Sequence, residues 1–333
     1  MKFLSYTGWL LISLISVCLR RHVLLEQFCT SSVLIVVQAI SFLNNRKFAG
    51  LDARNIKNMN ILFIGSLLLL GLIGGFLAGL LGIGGGVIFV PIMVLLFTAQ
   101  GMPLDLITHM AIATTMATVL FTALSSVRVH HQYQAVEWPL FWAISPGVLL
   151  GTLLGGKIFS LLHAGSLTLL FAGFVGFASW QMLSDRKKNI SSSQHALPGN
   201  FTLASVGVGI GLISSLVGVG GGFIFVAFFS WCHLPIRRAV ATSAALSIPV
   251  TAFATLNNIF YGYGLPGLPS GTLGYVYLPA LVCVATASVL AAPFGVRLVH
   301  KIDANRLKRI FSILLFSLSI YMFIQALRVF QWL

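Results

Sequence analysis

Charge is what this sequence has least of. Only 8% of its 333 residues are Asp, Glu, Lys or Arg, against about 25% in an ordinary soluble domain. Acids are the scarcest: Glu26, Asp52, Asp105, Glu137, Asp185 and Asp303 are all there are. No charged residue occurs from Asn58 to Leu104 or from Ala239 to Val296. Such a chain cannot clothe itself in a water-soluble surface. Each charge-free stretch is long enough for two crossings of about 20 residues. Polar–apolar alternation is lacking too, which disfavours a lipid-facing β-barrel. Cysteine is sparse. Cys18, Cys29, Cys232 and Cys283 form no CxxC pair and no metal-ligand spacing, so they read as small apolar residues, with no metal site and no cofactor expected. A GxxxxGK[ST] loop is missing, so ATP is not hydrolysed by that route. No Ser–Lys or His–Asp constellation stands at membrane depth, so no catalytic residue is named and an enzyme is not expected.

What is present is apolar. Hydrophobic residues make up 58% of the chain, and mean hydropathy is +0.98. The net charge of +14 comes from basic residues in short loops, where they set membrane orientation. No basic stripe or known module supports a nucleic-acid partner. The expected partners are a lipid bilayer and a small anionic substrate, with a homo-oligomer left open.

Residues 1–58 read as an N-terminal extension. Lys2, the apolar run Phe3–Leu19, then Arg20 and Arg21 resemble a signal anchor; the other reading is a mis-assigned start, with Met59 as initiator. From Met59 onward ten hydrophobic segments are predicted, at 60–81, 86–98, 106–128, 138–160, 165–183, 202–217, 222–232, 237–260, 274–299 and 305–327. A polar stretch, residues 184–200, is read as a central cytoplasmic loop between a first transmembrane repeat (59–183) and a second (201–333).

The halves share motifs in one order. Gly82-Ile-Gly-Gly-Gly86 corresponds to Gly218-Val-Gly-Gly-Gly222, Ala111-Ile-Ala-Thr-Thr115 to Ala239-Val-Ala-Thr-Ser243, and Gly155-Gly-Lys157 to Gly295-Val-Arg297. Five segments per half, an odd number, predict opposite orientations. The expected fold is therefore all-α: a polytopic helical membrane protein with two related, inverted repeats, each carrying a glycine-broken helix. Arg128, Arg186–Lys188, Arg237, Arg238, Lys301, Arg306, Lys308 and Arg309 then share one side, which the positive-inside rule makes cytoplasmic. The basic stretch Arg46–Lys57 falls on the wrong side of this scheme, which counts against the extension or against the topology.

The glycine clusters are the strongest functional signal. Each Gly costs about 1 kcal/mol in a helix relative to Ala, so Gly82, Gly84, Gly85 and Gly86, and Gly218, Gly220, Gly221 and Gly222, predict helix breaks. A new helix beginning at membrane depth offers N–H groups and a positive dipole end to an anion. The other reading is close helix packing. Pro91 predicts a bent second segment, with Ala227 at the equivalent place. Thr114, Thr115, Thr242 and Ser243 are candidate hydroxyl donors to the same anion, or else back-bond to their own helix or bond between helices. Lys157 and Arg297 are candidate anion guides, or else snorkel to headgroups. Arg128, His130 and His131 are read as a cytoplasmic loop, and Asn257 and Asn258 as a helix cap. With no acid expected inside the bundle, an anion moved by a secondary mechanism is favoured over a cation. If protons are coupled, either the substrate or a histidine such as His109 carries them.

At these residues the chain resembles the sulfite exporter TauE/SafE family. The resemblance rests on the early GxGGG, the AxxTS-like motif and their repetition, and covers residues 60–328. It departs at Thr115, where Ser is usual, at Ala227, where proline is, and in the first 58 residues. The resemblance implies a permease that exports sulfite, sulfonates or other organosulfur anions across the cell inner membrane as a multi-pass protein. An anion channel and a membrane scaffold without transport are the alternatives.

Overall fold

In lipid every backbone polar group needs a partner within the protein, so long apolar runs become helices. The computed structural model describes residues 61–81, 85–184, 199–298 and 304–329, and they form ten helices. The first half holds α1 (Ile61–Leu81), α2 (Gly86–Ala99), α3 (Leu104–Gln132), α4 (Trp138–Leu161) and α5 (Ala164–Ser184). The second holds α6 (Asn200–Val217), α7 (Gly222–Trp231), α8 (Ile236–Gly262), α9 (Leu278–Leu298) and α10 (Ala304–Val329). Five of them, α1, α3, α4, α8 and α9, are long and apolar enough to cross a membrane by length and composition. At 14 and 10 residues, α2 and α7 rise only about 21 and 15 Å, well short of a hydrocarbon core of about 30 Å. The protein is thus a multi-pass helical membrane protein.

The ten predicted segments match the ten helices, with three local differences. The ninth begins four residues later than expected, because Thr272–Leu273 (β1) and Val276–Tyr277 (β2) pair antiparallel just before it. Arg128, His130 and His131 are not in a loop: α3 runs on to Gln132, and His130 is buried. Asn257 and Asn258 are not caps either. The α8 helix continues to Gly262, and the Asn257 amide donates to the Thr152 carbonyl on α4 at 3.1 Å. The predicted extension and most of the central loop lie outside the described residues.

Small residues set the helix pairs. Without a hydrophobic drive between helices in lipid, close backbone approach supplies the association. On α4, a Cβ at Gly147 or Gly151 would strike the carbonyls of Ala204 and Val208 on α6, and one at Gly155 would strike Ser215. On α1, Gly71, Gly75 and Gly79 lie in the same way against Val284, Ser288 and Ala292 of α9. So α4 runs along α6 and α1 along α9; α5 pairs with α10, α3 with α8, α4 with α8, α3 with α9, α2 with α3 and α7 with α8. Shifting every helix number by five reproduces this set of pairings.

The turns correspond as well. After α2, Gln100, Gly101 and Met102 donate to Leu96, Thr98 and Phe97; after α7, Cys232, His233 and Leu234 donate to Phe228, Ser230 and Phe229. Gly101 and His233 both have positive φ, at 70° and 60°. Pro103 and Pro235 then stand at the N-caps of α3 and α8, where a missing N–H removes no helix bond.

Candidate functional site

Each glycine cluster ends one helix and begins another. Gly218 closes α6 with φ 79°. Gly220 follows at 70°, and Gly221 at 77° is the N-cap of α7. In the first half Gly85, at 72°, is the N-cap of α2. This left-handed backbone costs other residues about 1–2 kcal/mol. The predicted breaks are therefore real at Gly85 and across Gly218–Gly221. Gly82 and Gly84 lie outside the described residues.

The two breaks touch. A Cβ on Gly86 would run into the Gly218 carbonyl oxygen and stand 2.9 Å from Val219 Cα. The first residue of α2 is thus packed on the backbone that feeds α7. Neither N-cap residue supplies a side-chain hydrogen bond, so the first-turn N–H groups of both helices lack the side-chain cap that usually satisfies them. Their positive dipole ends have no basic side chain beside them: among the described residues no Asp, Glu, Lys or Arg is buried.

The two N-cap glycines have corresponding neighbours, with a hydroxyl in the second half where the first has a methyl. Gly85 sits against the Phe89 ring and Ala78 Cβ; Gly221 sits against the Phe225 ring and Ser214 Oγ. Ser214 is fully buried, and its hydroxyl has no hydrogen-bond partner. Such a group costs about 1–3 kcal/mol to leave unpaired. The sequence reading missed Ser214. Its signal was there, a hydroxyl one turn before the second glycine cluster where the first has Ala78.

The predicted hydroxyls are committed to other partners, and none of them is among the nearest neighbours of the break glycines. Gly220 lies against Val119 of α3 and Thr251 of α8. Thr115 Oγ1 reaches the Met93 sulfur at 3.5 Å, and Ser243 donates to the Val240 carbonyl. Thr114 Oγ1 accepts the backbone N–H of Tyr277, which leads into α9, at 3.0 Å. Thr242 Oγ1 accepts that of Glu137, the N-cap of α4, also at 3.0 Å. Each of these threonines therefore ties its own half to the start of the other half's fourth helix, while keeping a hydroxyl proton to donate. Beside the second tie, Arg238 bridges to the Glu137 carboxylate. Lys157 and Arg297 are exposed on α4 and α9, away from the buried breaks.

A multi-pass helical bundle whose half-length helices start at buried, touching glycine breaks has the build of a membrane transporter. The family profile for sulfite exporter TauE/SafE matches residues 67–322, and the chain belongs to that family. It is 31% identical to a probable membrane transporter protein of Haemophilus influenzae over 265 residues, covering 79% of this chain and 99% of that one. A probable membrane transporter protein of Methanocaldococcus jannaschii is 26% identical over 79% of this chain and 96% of its own. The probable membrane transporter protein YunE of Bacillus subtilis is 28% identical over 65% and 82%. No solved structure matches the chain.

Proposed function

We propose that this membrane transporter is a secondary exporter of small anions, such as sulfite, sulfonates or other organosulfur compounds, in the cell inner membrane. The anion binds where the glycine breaks meet. It accepts hydrogen bonds from first-turn N–H groups of α2 and α7, and the unpartnered Ser214 hydroxyl completes its shell. The observation that carries this reading is the packing of Gly86 on Gly218 and Val219 beside two uncapped helix starts. Backbone dipoles suit an anion without a permanent countercharge that would hold it too tightly to be released. The halves act as inverted repeats that rock about the break, the Thr114–Tyr277 and Thr242–Glu137 ties being remade on each side. Export and the sulfur substrate rest on the family's description.

Radiolabelled sulfite and an organosulfonate in proteoliposomes test this. The expected result is saturable flux accelerated by the same anion on the far side. Flux that rises linearly and ignores the far side identifies a channel. No flux of any sulfur anion removes the substrate claim.

A further inference from the structure

One buried imidazole stands outside the glycine site, packed on three sides and beside a cavity that it helps to line. His109 lies in the second turn of α3 and is 5% exposed. Its Nε2 is 3.1 Å from the Leu162 carbonyl oxygen. A carbonyl only accepts, so Nε2 carries the hydrogen and Nδ1 presents a lone pair. The ring stacks on Tyr275, centroids 5.1 Å apart at 24°, and meets Phe159 edge-on at 5.0 Å. Nδ1 is buried and has no hydrogen-bond partner. Against this ring lies a cavity of about 390 Å³, lined also by Asp105, Ser160, His163 and Tyr275.

The charged and titratable groups facing the ring decide what the cavity takes. Asp105, one turn earlier on α3, and His163, between α4 and α5, are exposed. Burial pushes the Tyr275 phenol up, so it stays a neutral partner. A carboxylate at the mouth repels an anion and relays protons. We infer that His109 Nδ1 takes up and releases a proton during the transport cycle, with Asp105 passing it between bulk water and the cavity. The step adds one proton to the Nδ1 lone pair, giving an imidazolium, and the reverse step returns it to the carboxylate or to water. The charge change is felt by the segment entering α9: Tyr275 stacks on His109, and the Tyr277 N–H is bonded to Thr114 of the same helix. Proton occupancy thereby biases a tie between the halves.

This inference rests on the transport reading, and the test separates the two. An organosulfonate stays ionised across the working range, so it cannot itself carry the proton. In proteoliposomes, His109→Gln keeps an amide donor for Leu162 but cannot bind a proton. Expected is loss of sulfonate accumulation driven by a pH gradient, with sulfonate exchange at equal pH retained. Gradient-driven accumulation that survives in His109→Gln overturns the inference. So does loss of exchange as well in a variant that melts like wild type, because His109 then serves the translocation step itself rather than proton coupling. If the wild type moves no sulfonate, the transport reading fails, and nitrogen NMR of histidine-labelled protein decides the proton site alone. A ring signal that titrates between about pH 5 and 8 and vanishes in His109→Gln supports it; a His109 ring neutral throughout overturns it.

Discussion

Ser214 and its counterpart Ala78 separate the proposed binding role from a structural one. The Ser214 hydroxyl is buried without a partner, so removing it takes away an unsatisfied group rather than a bond. Ser214→Ala is expected to leave the melting temperature unchanged or slightly raised while raising the KM for the anion; a thermal melt and a flux titration read the two effects. Thr114 behaves the other way. Thr114→Val strands the buried Tyr277 N–H and is expected to cost about 1–3 kcal/mol, whereas Thr114→Ser keeps the acceptor and most of the stability. Equal loss in both variants would mean that the methyl group, not the hydroxyl, matters there. The two threonines were legible in the sequence as a repeated pair, but their partners were not. Tyr277 lies 163 residues away from Thr114, and nothing in local spacing announces a hydrogen bond of that range.

Among elements, the half-length helices and the glycine-lined pairs carry different information. The starts of α2 and α7 were readable because a triple glycine has no place inside a helix, and positive φ at Gly85 and Gly221 is its physical consequence. The small hairpin before α9 was not readable: two-residue strands leave no periodicity to detect, and Val276–Tyr277 looks like the apolar onset of the next helix while Thr272–Leu273 falls in the glycine-rich loop before it. The end of α3 was misjudged for a related reason. Arg128 and the following histidines read as a loop, yet Val127 and Val129 beside them are buried, and packing extends the helix. The GxxxGxxxG spacing of Gly147, Gly151 and Gly155 meets backbone carbonyls of α6. Gly151→Ala must therefore push the helices apart, at an expected cost of about 1–3 kcal/mol, seen as a lower melting temperature in detergent. Gly173 has nothing within contact range, and Gly173→Ala on the same assay is expected to be neutral or stabilising.

On the scale of the whole molecule, matched pairings, matched turns and crossed threonine ties support the proposal that two halves act against each other. For inverted repeats the positive-inside pattern predicts Lys157 and Arg297 on opposite sides of the membrane. In a cysteine-free background, Lys157→Cys and Arg297→Cys are expected to react with an impermeant maleimide from opposite faces; labelling of both from one face would contradict inverted repeats. The most direct measurement is sulfite flux through Gly85→Ala with Gly221→Ala, reconstituted after its folding has been checked by melting and size. Both substitutions force a Cβ into left-handed backbone and against Phe89 or Phe225, disturbing the helix starts proposed to hold the anion. The expected result is a folded protein with saturable flux lost. A folded double variant that carries sulfite as the wild type does would reduce the glycine breaks to packing and rule out an anion site at the helix starts.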